Sequence, residues 1–165
     1  MTYESLLNGV SPDLQTVTGR TVARLSRQVE IALAKVDLTT AQYRALVQLG
    51  DGAEASSSLA AKLAVSRPSA TAVVEGLVQR GLVDRQHSGD DRRRVSLTLT
   101  EAGRRALAAA DDAVRARLAD ILAESGPGES VLAVEGVAQW GEAMDAHRIR
   151  KRRAAGDERN PVAAV

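Results

Sequence analysis

The sequence predicts a mainly α-helical fold carrying one small β-hairpin, and three observations lead there. Apolar residues recur at three- and four-residue steps through most of the chain. The period switches once to strict alternation, where Val95, Leu97 and Leu99 are interleaved with Ser96, Thr98 and Thr100. Finally, 44% of residues are apolar yet there is no Phe, one Trp and two Tyr. The core must therefore be built from Ala, Val and Leu, which are small enough for helices to pack closely.

The first helix begins at Ser11-Pro12-Asp13. Serine caps, proline loses nothing by lacking an N–H in the first turn, and aspartate favours the positive helix end. Leu14, Thr18, Val22, Leu25, Val29, Ala32 and Val36 form its stripe, and Asp37-Leu38 ends it. Thr39 opens a second helix. Gln42 completes a capping box with it, and Leu38 and Tyr43 are spaced as a hydrophobic staple. Ala45, Leu46 and Leu49 continue the face until Gly50-Asp51-Gly52. Ser56-Ser57-Ser58 starts a short third helix carrying Leu59, Ala60 and Leu63. Ser66 caps a fourth, whose inner stripe is Ala70, Val73, Val74, Leu77 and Val78, with Gly81 as its left-handed C-cap.

Leu82, Val83 and Arg85 then lead into a polar turn, His87-Ser88-Gly89-Asp90-Asp91, and the alternating segment follows as the second arm of a hairpin. Helix resumes at Thr100-Glu101 with Leu107, Val114, Leu118, Ile121 and Leu122 on its face. Ser125-Gly126-Pro127-Gly128 breaks it, and a last helix runs from Glu129 to about His147. Two helices joined by a tight turn and followed by a β-hairpin make a winged helix-turn-helix. The expected organisation is an N-terminal dimerisation helix (1–37), a winged helix-turn-helix (38–100), C-terminal dimerisation helices (101–147), and a basic, disordered tail (148–165). The long terminal helices carry more apolar stripe than so small a domain can bury, which points to a homodimer. The alternative is that they cover the winged domain within one chain.

Several function classes are excluded or left unsupported. Lys and Arg number 22 against 21 Asp and Glu, a net charge of +1 that neither demands nor forbids a nucleic-acid partner. Cysteine is absent, which removes disulfides, thiol redox sensing and cysteine-ligated zinc. No apolar run is long enough for a membrane span and the N-terminus lacks a signal pattern, so a cytoplasmic protein with no membrane partner is expected. No phosphate-cradling glycine loop, nucleophile–base pair or metal-ligand spacing occurs, so neither enzyme nor cofactor nor metal is expected. His87 and His147 are too far apart in sequence to suggest a metal pair.

The chemistry sits on the fourth helix and the hairpin. The second helix of a helix-turn-helix lies in the major groove with its N-terminal residues nearest the bases. Turned outward here are Arg67, Pro68, Ser69, Thr71, Ala72 and Glu75. Hydroxyls exchange hydrogen bonds with base edges, Ala72 suits a thymine methyl, and Arg67 suits guanine or phosphate. Ser66 heads a helix end whose N–H groups suit a phosphate. Taken alone, these are also ordinary small polar surface residues. The hairpin loop shifts the balance, because Arg92, Arg93 and Arg94 follow Asp90 and Asp91 at its tip, as in an arm that enters the minor groove. Alternation sends Arg92 and Arg94 one way and Arg93 the other, and Asp90 or Asp91 can hold one arginine in place.

Three stretches, LTTAQYRALVQL, SSSLAAKLAVSRPSATAVVEGLVQRGLVDR and SGDDRRRVSLTLTEAG, resemble the multiple antibiotic resistance regulator (MarR) family over residues 38–105. The family's wing signature, Asp-x-Arg and then a strand ending Leu-Thr, falls on Asp91, Arg93, Leu99 and Thr100. The resemblance implies an α-α-β-α-α-β-β-α-α order with a short strand near Glu54-Ala55. It also implies Arg93 as the minor-groove arginine with Asp91 as its anchor. It favours the dimer, with two recognition helices about 34–36 Å apart on a pseudo-palindromic duplex. Many relatives take small aromatic or anionic effectors in a cleft between the dimer helices and the DNA-binding lobe. Arg27, Tyr43 and Arg44 are the candidates here, although few aromatics are present and Tyr43 equally serves as the staple.

The functional reading is a sequence-specific DNA-binding regulator, a homodimeric repressor relieved by a small-molecule effector. The residues themselves do not separate repressor from activator. A protein-interaction module predicts acidic or apolar residues where arginines and hydroxyls stand. Trp140 reads as a packing residue at the dimer contact. Arg148, Arg150, Lys151, Arg152 and Arg153 either touch phosphates or form a solvated tail.

Overall fold

The structure, a computed structural model, describes residues 11–52, 54–63, 65–87 and 95–157. The elements are α1 (Pro12–Ala34), α2 (Thr40–Gly50), β1 (Glu54–Ala55), α3 (Ser56–Leu63), α4 (Arg67–Gln79), β2 (Val83–His87), β3 (Val95–Leu99), α5 (Glu101–Leu122) and α6 (Pro127–Asp157). This is the predicted order, including the short strand that the family resemblance implied.

Local chemistry sets the helix ends. Ser11 Oγ accepts from Leu14 N–H at 3.2 Å with Pro12 in the first turn of α1. At α2, Thr39 Oγ1 accepts from Gln42 N–H at 3.2 Å, and Gln42 Oε1 accepts from Thr39 N–H at 3.0 Å, the reciprocal capping box. The closing turn of α4 is a Schellman motif. Gly81, with φ of 67°, donates to Val78 O, and Leu82 donates to Leu77 O, each at 2.9 Å.

Residues 1–118 and 119–165 form two units. In the first, the sheet runs β1-β3-β2, antiparallel throughout, with Leu97 of the central strand opposite both Glu54 and Arg85. Its core draws one fully buried leucine from each of five elements: Leu33 of α1, Leu46 of α2, Leu59 of α3, Leu77 of α4 and Leu97 of β3. Each such side chain contributes roughly 1.5–3 kcal/mol, so this unit is held around its own middle.

The start of α5 is bolted to the end of α4. Thr100 Oγ1 donates to Gly81 O at 2.7 Å and accepts from Gly103 N–H at 3.0 Å, while Thr100 N–H donates to Leu82 O at 3.1 Å. The buried residues of α5 are Gly103 and Ala110, which the periodicity did not single out. Of its predicted face, Leu107, Val114, Leu118 and Leu122 are half-buried and Ile121 is exposed. Leu107 and Val114 pack against the edge of the core, while the tightest approach is made by Gly103, against the Leu82 carbonyl.

In the second unit, Gly126 N–H donates to Glu129 Oε2 at 3.2 Å, and Ser130 Oγ donates to Leu122 O at 2.9 Å. The predicted end of α6 near His147 is corrected, because the helix continues to Asp157. Residues 148–157 are therefore helical rather than a disordered tail, and 158–165 lie outside the described residues. The reason is propensity: Arg, Lys and Ala propagate a helix well, and no glycine interrupts them before Gly156.

Candidate nucleic-acid interface

The outer face of α4 follows from its inner one. Ala70, Val74 and Leu77 are buried and Val73 and Val78 half-buried, so Ser66, Arg67, Pro68, Ser69, Thr71, Ala72 and Glu75 all face solvent. Every predicted recognition residue is thus brought onto one exposed surface at the N-terminal half of a single helix.

The hydrogen-bond inventory of this face is more selective than the sequence suggested. Ser66 Oγ accepts from Ser69 N–H at 3.3 Å and pairs with Ser69 Oγ at 2.8 Å, while Ser66 O accepts from Ala70 N–H at 2.9 Å. Pro68 has no N–H to give. Within the first turn of the helix that leaves Arg67 N–H for an anion, so the expected multi-donor phosphate seat is reduced to one backbone donor. Thr71 Oγ1 donates to Arg67 O at 3.0 Å, so it offers its lone pairs and its methyl outward. Among the described residues the Arg67 guanidinium has no ion-pair partner and is fully available to phosphate or base.

The hairpin that follows has five paired positions on each strand, from Val83↔Leu99 to His87↔Val95. The predicted wing residues Asp91, Arg92, Arg93 and Arg94 lie outside the described residues, between those two strands.

The effector candidates are each engaged separately. Arg27 pairs with Glu30 at 3.0 Å on the surface of α1. Arg44 Nη2 donates to Leu63 O at 3.0 Å and fastens α2 to the end of α3. Tyr43 packs against the core, and its hydroxyl donates to Asp111 Oδ1 at 2.7 Å. Burial, then the hydrogen bond and negative charge of Asp111, pushes the Tyr43 phenol up to about 12. Among the described residues no hydrogen bond or ion pair links the three. An open hollow of about 330 Å³ lies elsewhere, against Trp140, Ala143, Met144 and His147 of α6. The described residues include no cluster of three or more His, Cys, Asp or Glu fit to hold a metal ion, and no helix long and apolar enough to cross a membrane.

Among the connections that escaped sequence reasoning are Thr100 to Gly81, Tyr43 to Asp111, and Arg80 to Asp37. None leaves a local pattern. A threonine before a helix reads only as a cap, and a cation ending a helix reads only as a complement to its dipole.

The MarR family model matches residues 36–94, which run from the turn after α1 to the residue before β3. Among solved structures, the chain is similar to RV1404 from Mycobacterium tuberculosis, with 29% identity and a TM-score of 0.67 over 81% of this chain and 94% of that one. It is also similar to the transcriptional repressor CouR bound to a 23-mer DNA duplex, with 29% identity and a TM-score of 0.64 over 86% and 99%. A third is the MarR family protein RV2887 of Mycobacterium tuberculosis in complex with p-aminosalicylic acid, with 26% identity and a TM-score of 0.65 over 79% and 99%. No curated protein sequence matches the chain. The element order, the Schellman-closed α4, the hairpin paired beside it and these likenesses together give one answer: over residues 36–94 the chain is similar to the MarR family, and its winged-helix fold is that of MarR-family transcription regulators.

Proposed function

We propose that the chain binds duplex DNA sequence-specifically as a homodimer, acting as a repressor on a pseudo-palindromic operator and relieved by a small-molecule effector. The observation that carries the DNA reading is the outer face of α4. Its first two turns expose a free guanidinium, hydroxyls and methyl groups, with no acid in the first turn. That is the chemistry of base edges and phosphates in a major groove. In this reading Arg93, held by Asp91, enters the minor groove beside it, and Arg92 and Arg94 complete the wing.

The dimer reading is supported by apolar surface exposed on each of the two units. Leu14, Val17 and Val22 of α1 and Val131, Leu132, Val134, Val137, Trp140 and Met144 of α6 are all between 46% and 70% exposed. So much apolar surface marks an interaction site. Segments 1–37 and 101–147, extended along α6 to Asp157, would then be the dimerisation parts around the winged core 38–100. The repressor and effector assignments rest on likeness: CouR is described as a transcriptional repressor, and RV2887 holds an aromatic acid. Tyr43, with Arg44 and Arg27, is where such an acid is proposed to be sensed, in the cytoplasm.

The test is selection from random duplex DNA by wild type and Arg93→Ala, at about 50 and 200 mM salt. A palindrome enriched by wild type, weakening with salt and lost in the variant, supports the reading. Equal weak binding by both proteins with no enrichment overturns it.

A further inference from the structure

The far end of the recognition helix is tied down by a guanidinium as well as by packing. Arg80, the C-cap of α4, reaches the turn that ends α1. Its Nη1 donates to the backbone oxygen of Asp37 at 2.7 Å, and its Nη2 lies 3.2 Å from Asp37 Oδ2. The partners are 43 positions apart, so only the fold brings them together. The planar fork of arginine can hold two acceptors of one residue at once, whereas an ammonium group is a point donor.

The receiving end is shaped for this. Asp37 has φ of 55°, the only positive value at a non-glycine position among the described residues. Its N–H donates to Ala34 O at 3.4 Å and Leu38 N–H donates to Leu33 O at 3.1 Å, which closes α1 in the left-handed manner usually left to glycine. The Asp37 side chain is 96% exposed and that of Arg80 34% exposed. Solvent screens the ion pair, so the bond to the carbonyl is the durable half of the contact.

Arg80 is not needed to form α4, which already has its Schellman closure and three residues in the core. What it adds is a strut from the end of α1 to the end of α4. We propose that Arg80 is a positioning residue for DNA recognition: through Asp37 it sets the angle of the recognition helix against the first helix, and so the spacing of the two recognition helices in the dimer. This rests on the DNA-binding dimer proposed above. Two-fold symmetry repeats any error in that angle at both half-sites, so operator spacing is what the strut controls.

The experiment uses the full chain and the selected operator. Wild type, Arg80→Ala, Arg80→Lys and Asp37→Asn are titrated with the operator, with scrambled duplex, and with operators whose half-sites are moved by one base pair. Arg80→Ala should lose about tenfold on the operator and lose its discrimination between spacings, with scrambled-duplex binding and its salt slope unchanged. Arg80→Lys should recover part of this, and Asp37→Asn, which keeps the carbonyl, should lose least. A parallel loss on both duplexes with a shallower salt slope would mean that Arg80 touches phosphate, and overturns the proposal. So does undiminished spacing discrimination. Thermal unfolding of each variant checks folding, and Arg80→Lys carries the comparison if Arg80→Ala is unfolded. Failure of the DNA reading looks different, because wild type itself then prefers no operator. Amide exchange in DNA-free protein decides the strut in that case. Arg80→Ala should speed exchange at both Leu38 and Leu82, and unchanged exchange sinks the strut.

Discussion

Gly103 of α5 lies so close beneath the Leu82 carbonyl that a Cβ placed on it would overlap that oxygen. Leu82 has little room to give way, since its N–H closes α4 on Leu77 and its carbonyl accepts from Thr100. Gly103→Ala should therefore destabilise the protein by about 1–3 kcal/mol, which lowers Tm by roughly 2–4 °C per kcal/mol in a chain of this size. Urea and thermal unfolding read it directly. An unchanged Tm would mean that α5 can slide away from the cap of α4 at no cost.

Tyr43 and Asp111 make stability depend on pH in the alkaline range. The phenol rises from 10.0 to about 12 in the fold, so the neutral form is the one the folded state prefers. Its contribution is full below pH 10 and is lost as pH climbs from 10 to about 12. Ultraviolet titration should show one late tyrosinate step that Tyr43→Phe abolishes. Denaturant midpoints should fall more steeply over that range in wild type than in the variant, and matching slopes would count against the assignment.

Trp140, the only tryptophan, is 54% exposed in the single chain, three residues along α6 from Val137, which is 63% exposed. If α6 is a dimer surface, Val137→Glu should weaken self-association by at least about 30-fold. Sedimentation and a red shift of the Trp140 emission would report it together. A variant that stays dimeric with unshifted fluorescence would move the contact off this face.

Thr71 turns lone pairs and a methyl group to solvent, because its hydroxyl proton is given to Arg67 O. Thr71→Val keeps the shape and removes the acceptor. It should lose about 1–3 kcal/mol of preference for an amino-bearing base at one half-site position, with stability changed by less than about 0.5 kcal/mol. Selection profiles of the two proteins test this, and identical profiles would place Thr71 away from the bases.

Much of this was legible along the chain. Ser11, Thr39 and Ser66 cap helices where they were expected to, and Gly81 turns left-handed as expected, because cap chemistry acts within three or four residues. The exposed residues of α4 follow from its buried stripe for the same reason. The stretch after His147 departs from the expected disordered tail because helix propensity outweighs its charge there.

By itself, then, the sequence determined the elements, their order and the outward face of α4, since each depends on periodicity and on neighbours within a turn. Only the tertiary structure decided that Gly103 lies against Leu82, that Thr100 joins Gly81, that Arg80 reaches Asp37, and that Ile121, Val137 and Trp140 are exposed. A stripe shows that a face is apolar but not what will lie against it. That choice belongs to residues tens of positions away, brought close only when the core of leucines closes.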